Sequence, residues 1–389
     1  MNIILADPRD VRDNLLPLTY TRPISEIRVG ITTLAEKWSR FIPGEYYYQT
    51  AEYLSTKYRS YEGTVDAGVL YVRSNVVADC RLAEAVKALV PGQALFDANH
   101  VMIAQRGGTG EVASMNLDYS PLQVTELYDI FMINGRVLEQ DFEVLGQAGV
   151  PLSPTVTVIG PRERVYVDPR ATFVEGCVLN TLGGPIYIGP EAQVMEGSCL
   201  RGPVAVCEGS SVNMGAKIYG ATTIGPHSKV GGELNNVVIF GYSNKAHDGF
   251  LGNAVVGEWC NIGAGATASN LKNDYTEIKL WNYPKRRFVR TGLQFCGAII
   301  GDHSKIGINA MLNTATVLGV GVNIHGAGYP RPFLASFSEG STAGFNDVVM
   351  SKFFDTATKV MARRGIELTD VDRGILIKVR ELAEAYRSV

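Results

Sequence analysis

The sequence predicts an α/β domain, then a solenoid of stacked short strands, then a short helical tail, on three observations. Glycine is uneven, with 11 in residues 1–150, 27 in 151–330 and 4 in 331–389. The glycine-rich middle repeats an aliphatic residue at every sixth position. The flanks instead alternate helix-like and strand-like segments without that repeat.

Composition bounds the answer. A chain of 389 residues is too long for one ordinary core. With 46% hydrophobic and 19% charged residues it is neither disordered nor collagen-like. A formal net charge of −3 supplies no general field for a nucleic-acid backbone or an anionic membrane, so small ligands are the expected partners. The six cysteines form no C-x-x-C pair, which favours free thiols in a reducing compartment. The start MNIILADPRD reaches Asp7 without a basic leader or cleavage site, and no segment approaches a membrane span. A cytoplasmic location is the expectation.

Residues 1–120 read as α/β, with strand-like runs Ile3 to Ala6 and Val69 to Val72 and helix-like segments Thr33 to Phe41 and Leu82 to Leu89. Residues 121–150 read as a linking helix that Gly135 interrupts. In 151–330 the aliphatic hexad runs Ile188, Val194, Leu200, Val206, Val212, Ile218, Ile224, Val230, and resumes at Ile300, Ile306, Leu312, Leu318 and Ile324, with Phe250, Val256 and Ile262 between. Four residues after each of the first seven stands a small or β-branched residue, Ala192 to Ser228. A period of six fits neither a helix stripe nor simple strand alternation. It fits a triangular coil of three hexads, aliphatic side chains inward and small residues at the corners. The phase breaks at 233–250 and 270–296, which are read as insertions leaving the prism. In 331–389, Asn346 is the expected cap of a helix from Val348, Gly365 ends it, and Thr369 caps a second.

The chemistry concentrates in Asn244-Lys245-Ala246-His247-Asp248-Gly249-Phe250-Leu251-Gly252, the turn Asn261-Ile262-Gly263-Ala264-Gly265, and Asn270. With the hexads, this resembles the bifunctional glucosamine-1-phosphate N-acetyltransferase and N-acetylglucosamine-1-phosphate uridylyltransferase family. The resemblance implies a left-handed parallel β-helix and a homotrimer. It implies His247 as general base, Glu233, Asn261, Asn270 and Lys279 as substrate contacts, and Ala264 beside acetyl-CoA. Phe250 replaces the family's tyrosine. A neutral imidazole suits the task, since histidine titrates near pH ~6.5. Backbone amides near Ala264 and Gly265 are candidate oxyanion donors, and Lys245, Lys279, Lys285, Arg286, Arg287 and Arg290 are candidate cations for a sugar phosphate. The bland alternative makes His247 a loop residue and 285–290 a solvated face. None of the five histidines forms a ligand-like sequence pair, which argues against a zinc centre.

Leu16-Pro17-Leu18-Thr19-Tyr20-Thr21-Arg22-Pro23 resembles the P-L-T-x-x-R-P segment of sugar-phosphate nucleotidyltransferases, which implies a Rossmann-like first domain. The glycine-rich phosphate loop is replaced by Asp7-Pro8-Arg9-Asp10-Val11-Arg12-Asp13. Arg9, Arg12, Thr19 and Arg22 are the nucleotide or phosphate candidates. Asn75 stands where the family carries an aspartate for Mg²⁺, and is the poorer ligand. Arg22 paired with Glu26 is the structural alternative. Three readings of this domain stay open: a divergent nucleotidyltransferase, a sugar-nucleotide binding module, or a scaffold.

The expectation for the whole is amino-sugar nucleotide synthesis: acetyl transfer from acetyl-CoA to glucosamine 1-phosphate in the solenoid, with nucleotidyl transfer using Mg²⁺ in the first domain. The rivals are a UTP- or dTTP-dependent nucleotidyltransferase whose solenoid only trimerises it, and a non-catalytic sugar-nucleotide binding protein.

Overall fold

The computed structural model describes residues 1–108, 112–146 and 149–387. Strand Asn2–Ala6, with Ile3, Ile4 and Leu5 buried, pairs in parallel with Glu45–Gln49 on one side and Val69–Arg73 on the other. The sheet continues antiparallel through Met102–Arg106 to Gln93–Phe96, then parallel to Ala113–Asn116. Helices Leu34–Phe41 and Cys80–Lys87 begin at side-chain caps: Thr33 forms a capping box with Glu36, and Asp79 accepts from the Leu82 amide. Asp7, Gln49 and Arg73 thus meet at the carboxyl ends of three adjacent strands, where the order reverses. Open α/β sheets bind ligands at such a point.

The middle is a parallel β-solenoid. Strands pair with partners eighteen residues on, Val194 with Val212 and Leu200 with Ile218, so three hexads make one coil. The inward aliphatics from Ile188 to Val230 are at most 1% exposed. Corner residues Ser198 and Ser210 are buried and donate their hydroxyls to Asn213 O and Gly225 O, which is why a small polar residue serves there.

Several expectations change on folding. Residues 233–250 stay within the coil: Glu233–Gly241 is one nine-residue strand that pairs with strands of two faces and turns at Asn236, φ 58°. This coil is shorter, with Val230 partnered by Lys245 fifteen residues on. Leu251 rather than Phe250 points inward, in register with buried Leu234. Residues 270–296 do leave the coil, as an antiparallel hairpin of Lys279–Asn282 with Arg287–Arg290.

Helix Asp129–Leu145 passes through Gly135 unbroken, and a Cβ there would lie 3.1 Å from the Ala221 Cβ of the solenoid. Glycine serves close approach, and neighbouring Asn134 donates to Ala221 O at 2.6 Å. Asn346 does not cap a helix: Gly344–Asp347 pairs antiparallel with Ser338–Ser341, and the helix is Met350–Ala362. Thr369 does cap Asp370–Ala383, with Asp372 completing the capping box.

One apolar core joins the three parts, bringing Leu18 and Tyr20 against Phe240 and Trp259 of the solenoid and Met361 and Val379 of the tail. At its polar edge Arg22, 4% exposed, donates to Asp302 Oδ2 at 2.6 Å, lies 3.1 Å from Glu258 Oε2, and covers the Phe240 ring. Thr21 Oγ1 also donates to Asp302, whose other oxygen accepts the Glu258 amide. Neighbouring His303 lies between the Trp259 and Phe353 rings. Burial, with Lys305 and Arg22 adding to it against the opposing pull of Asp302 and Asp372, pushes the His303 imidazole down to about 3.

This shift has a definite sign. The folded chain keeps His303 neutral, while the unfolded chain takes up a proton below pH ~6.5. Stability is therefore expected to fall as pH drops from ~6.5 towards 3, by up to roughly 1.4 kcal/mol per pH unit from this group. Thermal unfolding across pH 4–7 should show a flatter profile for His303→Phe than for wild type; Phe337, at a similar corner with φ 58°, shows that the ring is tolerated. Parallel profiles would remove His303 from the acid response.

Candidate functional site

The solenoid stacks its corner turns, and the turn carrying His247 lies within this stack. The Asn213 amide nitrogen Nδ2 donates to Ala246 O, Gly265 N to Asp248 O and Asn309 N to Ala264 O, each at 2.8–2.9 Å. Equivalent positions on these turns are thereby Met214, His247, Ala264 and Ile308, with the short turn Gly231-Gly232 between Met214 and His247. Met214 and Ile308 are 67% and 70% exposed, and His247 is exposed between them. The floor is glycine: a Cβ on Gly263 would meet the Gly307 carbonyl carbon at 2.7 Å, and one on Gly265 would meet Asn309 Oδ1. The result is a shallow strip with small residues above the imidazole and apolar side chains at both ends.

The residues expected around His247 divide between two flanks. Asn261 is exposed on the face before the corner, in register with Asn244. Glu233 and Phe250 are register partners on the face after it. Asn270 joins that second flank, donating to Asn253 Oδ1 at 2.8 Å, with its Nδ2 close over Gly252 beside the Phe250 ring. Sequence reasoning missed Tyr219, whose hydroxyl donates to Glu233 Oε1 at 2.6 Å; that bond, then burial, pushes the phenol up to about 12. It brings a phenol to the face where Phe250 lacks one. The signal was its place two residues after Lys217, whose strand pairs with that of Glu233.

Three expectations for the solenoid need correction. Lys245 does not face a substrate: it is 2% exposed, with Nζ donating to Gly231 O at 3.1 Å and His247 O at 2.5 Å. The Gly265 amide is committed to Asp248 O and is not a free oxyanion donor. The basic hairpin makes its contacts with the first domain and the tail. Asn282 donates to Asn14 Oδ1, Tyr283 packs edge-on against Tyr20 and Tyr386, and Arg286 lies over the Tyr386 ring. Lys279 is exposed on this hairpin, opposite Arg290.

A cleft of about 660 Å³ lies at the carboxyl end of the first sheet, lined by Arg9, Arg12, Gln49 and Tyr53, and closed by Pro284 of the hairpin and Tyr386 of the tail. Arg9 is exposed to it. Arg12 is held at its edge, donating to Thr19 O and to the Tyr53 hydroxyl. Tyr20 lines the cleft with a buried hydroxyl that has no hydrogen-bond partner among the described residues. Thr19 is fully buried and returns a hydrogen bond to Arg12 O, so it braces the loop from within. Arg22 is likewise corrected from phosphate ligand to the buried clamp on Asp302 and Glu258; it is not paired with Glu26 as the structural alternative held.

The first domain offers Mg²⁺ a poor donor set. Asn75 is fully buried, with Oδ1 accepting from Arg73 and Nδ2 donating to Val124 O. Asp7 already accepts from Ser74, Thr50 and the Ile24 amide, and burial raises its carboxyl above the usual range. Among the described residues no group of three or more His, Cys, Asp or Glu could hold a metal. All six cysteines are free, and no described helix is long and apolar enough to cross a membrane.

Residues 3–148 match the family model described as Sugar nucleotidyl transferase. Among curated proteins, the chain is 25% identical over 227 residues to the bifunctional protein GlmU of Synechococcus elongatus, covering 53% of this chain and 46% of that one. It is 27% identical over 255 residues to the GlmU of Methylibium petroleiphilum, covering 61% and 48%. It is 29% identical over 144 residues to a bifunctional sugar-1-phosphate nucleotidylyltransferase/acetyltransferase of Sulfurisphaera tokodaii, covering 36% and 35%. The chain thus spans about half the length of the first two relatives and a third of the last. These matches, with an α/β first domain joined to a parallel β-solenoid, make the chain similar, at modest identity, to GlmU and related bifunctional transferases.

Proposed function

We propose that the chain is a transferase of amino-sugar nucleotide synthesis that moves the acetyl group of acetyl-CoA to the amine of glucosamine 1-phosphate at the His247 corner. The observation that carries this reading is the column Met214, His247, Ala264, Ile308. It sets an exposed imidazole, with no partner among the described residues, beside a glycine-floored strip, which an extended thioester arm can approach closely. The amine nitrogen attacks the thioester carbonyl, a C–N bond forms and the C–S bond breaks. His247 takes the proton lost by the amine and returns it to the departing thiolate. The Ala264 amide, at the turn tip, faces the developing oxyanion. Asn261 on one flank and Glu233 with Asn270 on the other hold the sugar, and Tyr219 orients Glu233. A homotrimer completes the site, a neighbouring chain covering the exposed strip.

Thiol release from acetyl-CoA, measured against a panel of amino-sugar phosphates, tests this. Release that depends on glucosamine 1-phosphate is expected; release that no amino sugar accelerates would end the reading.

The first domain supports a second activity, nucleotidyl transfer to a sugar 1-phosphate, favoured by the composite cleft and its match to residues 3–148. Arg9 and Arg12 would face the phosphates. The committed side chains of Asn75 and Asp7 do not fit Mg²⁺.

A further inference from the structure

The inward column on one solenoid face reads Val194, Val212, Val230, Lys245, Ile262, Ile306 and Ile324. All are buried, and six are aliphatic. Lys245 places an ammonium where every neighbour has a hydrocarbon. Isolated buried charge is costly, and a methionine of similar length would satisfy the column's apolar pattern. The two groups the ammonium meets are informative. Gly231 O belongs to the turn below, and His247 O to the corner residue itself. The lysine thus ties the carbonyl of the proposed base to the next coil from inside the prism.

That tie compensates for a local weakness. The coil between Val230 and Lys245 is three residues short of the usual eighteen, and the turn that follows contains Gly249 at φ 122°. Gly231 and Gly232 below leave no room for side chains that would brace the turn: a Cβ on Gly231 would meet Ala246 O at 2.3 Å, and one on Gly232 would meet His247 O at 2.8 Å. Burial draws the Lys245 amine down to about 8, against the opposing pull of Asp248.

We infer that Lys245 is a positioning residue: its buried ammonium fixes the His247 turn by bonding Gly231 O and His247 O, at the expense of the stability an aliphatic residue would give. This rests on His247 being the base of the proposed transfer. The arrangement differs from a substrate-binding lysine because it touches no exposed surface.

Lys245→Met in the full chain tests it. Expected are a melting temperature at or above that of wild type, unchanged KM for acetyl-CoA and amino sugar, and a kcat lower by roughly 10- to 100-fold, as for a reacting group displaced by about 1 Å. Backbone amides of residues 246–249 and 265 should exchange hydrogen faster in the variant. A variant with wild-type kcat and wild-type exchange overturns the inference. So does one whose lost activity follows a lowered melting temperature, since the lysine would then serve only folding. Should His247→Ala itself keep wild-type turnover, the transferase reading fails; the exchange measurement then decides alone, and unchanged exchange overturns the tie.

Discussion

Asp302→Ala is expected to destabilise the folded chain by about 3–5 kcal/mol, the usual result of stripping a buried cation of its partner. The substitution leaves Arg22 among Phe240 and the core side chains with only Glu258, itself 36% exposed, still beside it. It also frees Thr21 Oγ1 and the Glu258 amide. Burial works against the Arg22 charge, but Asp302 and Glu258 outweigh it and keep the guanidinium ionised. Denaturant titration measures the loss as a lower midpoint. A double replacement, Arg22→Met with Asp302→Leu, is expected to recover most of it, because no unpaired charge remains. A loss below about 1 kcal/mol, as for an exposed pair, would show that the clamp does not join the domains.

His247→Ala is expected to lower the acetyl-transfer rate by roughly 10²- to 10⁴-fold, the range supplied by a positioned general base. The side chain is exposed and no described interaction depends on its ring, so the melting temperature should not change. Binding of acetyl-CoA should also persist, since the apolar ends of the strip, Met214 and Ile308, are untouched. Equal loss of binding and turnover would instead mark His247 as a substrate contact, visible as a raised KM.

The parts legible in the sequence are those fixed by local repetition. Ile188 to Val230 face inward because each hexad fills one side of the prism, and such a pattern needs no distant partner. Caps such as Thr33 and Thr369 are equally local. What was hidden depends on contacts far along the chain. Arg22 has a phosphate-like setting in sequence, yet its partner is Asp302, 280 residues away. Gly135 resembles a helix breaker until Ala221 arrives on the other side. Lys245 looked like a ligand cation because the coil before it is short, which moves it onto the interior column. Phe250 lost the inward position to Leu251 because Leu251 and Val256 repeat the five-residue spacing of Leu234 and Ile239 on the coil below. One motif brings His247, Asn261 and Ala264 to neighbouring positions on the coil, whereas Tyr219 meets Glu233 only through stacking of coils. The hairpin 279–290 kept its basic character, but its aromatic residues bind it to Tyr20 and Tyr386, which no spacing rule foresees.

The proposed reaction hands an acyl group from a thioester to an amine at the His247 corner. Incubating the full chain with deuterated acetyl-CoA and glucosamine 1-phosphate, and weighing the sugar product by mass spectrometry, tests it most directly. The label is expected on the sugar nitrogen with wild type and at background with His247→Ala. An unlabelled sugar with wild type, or equal labelling by both proteins, would contradict it.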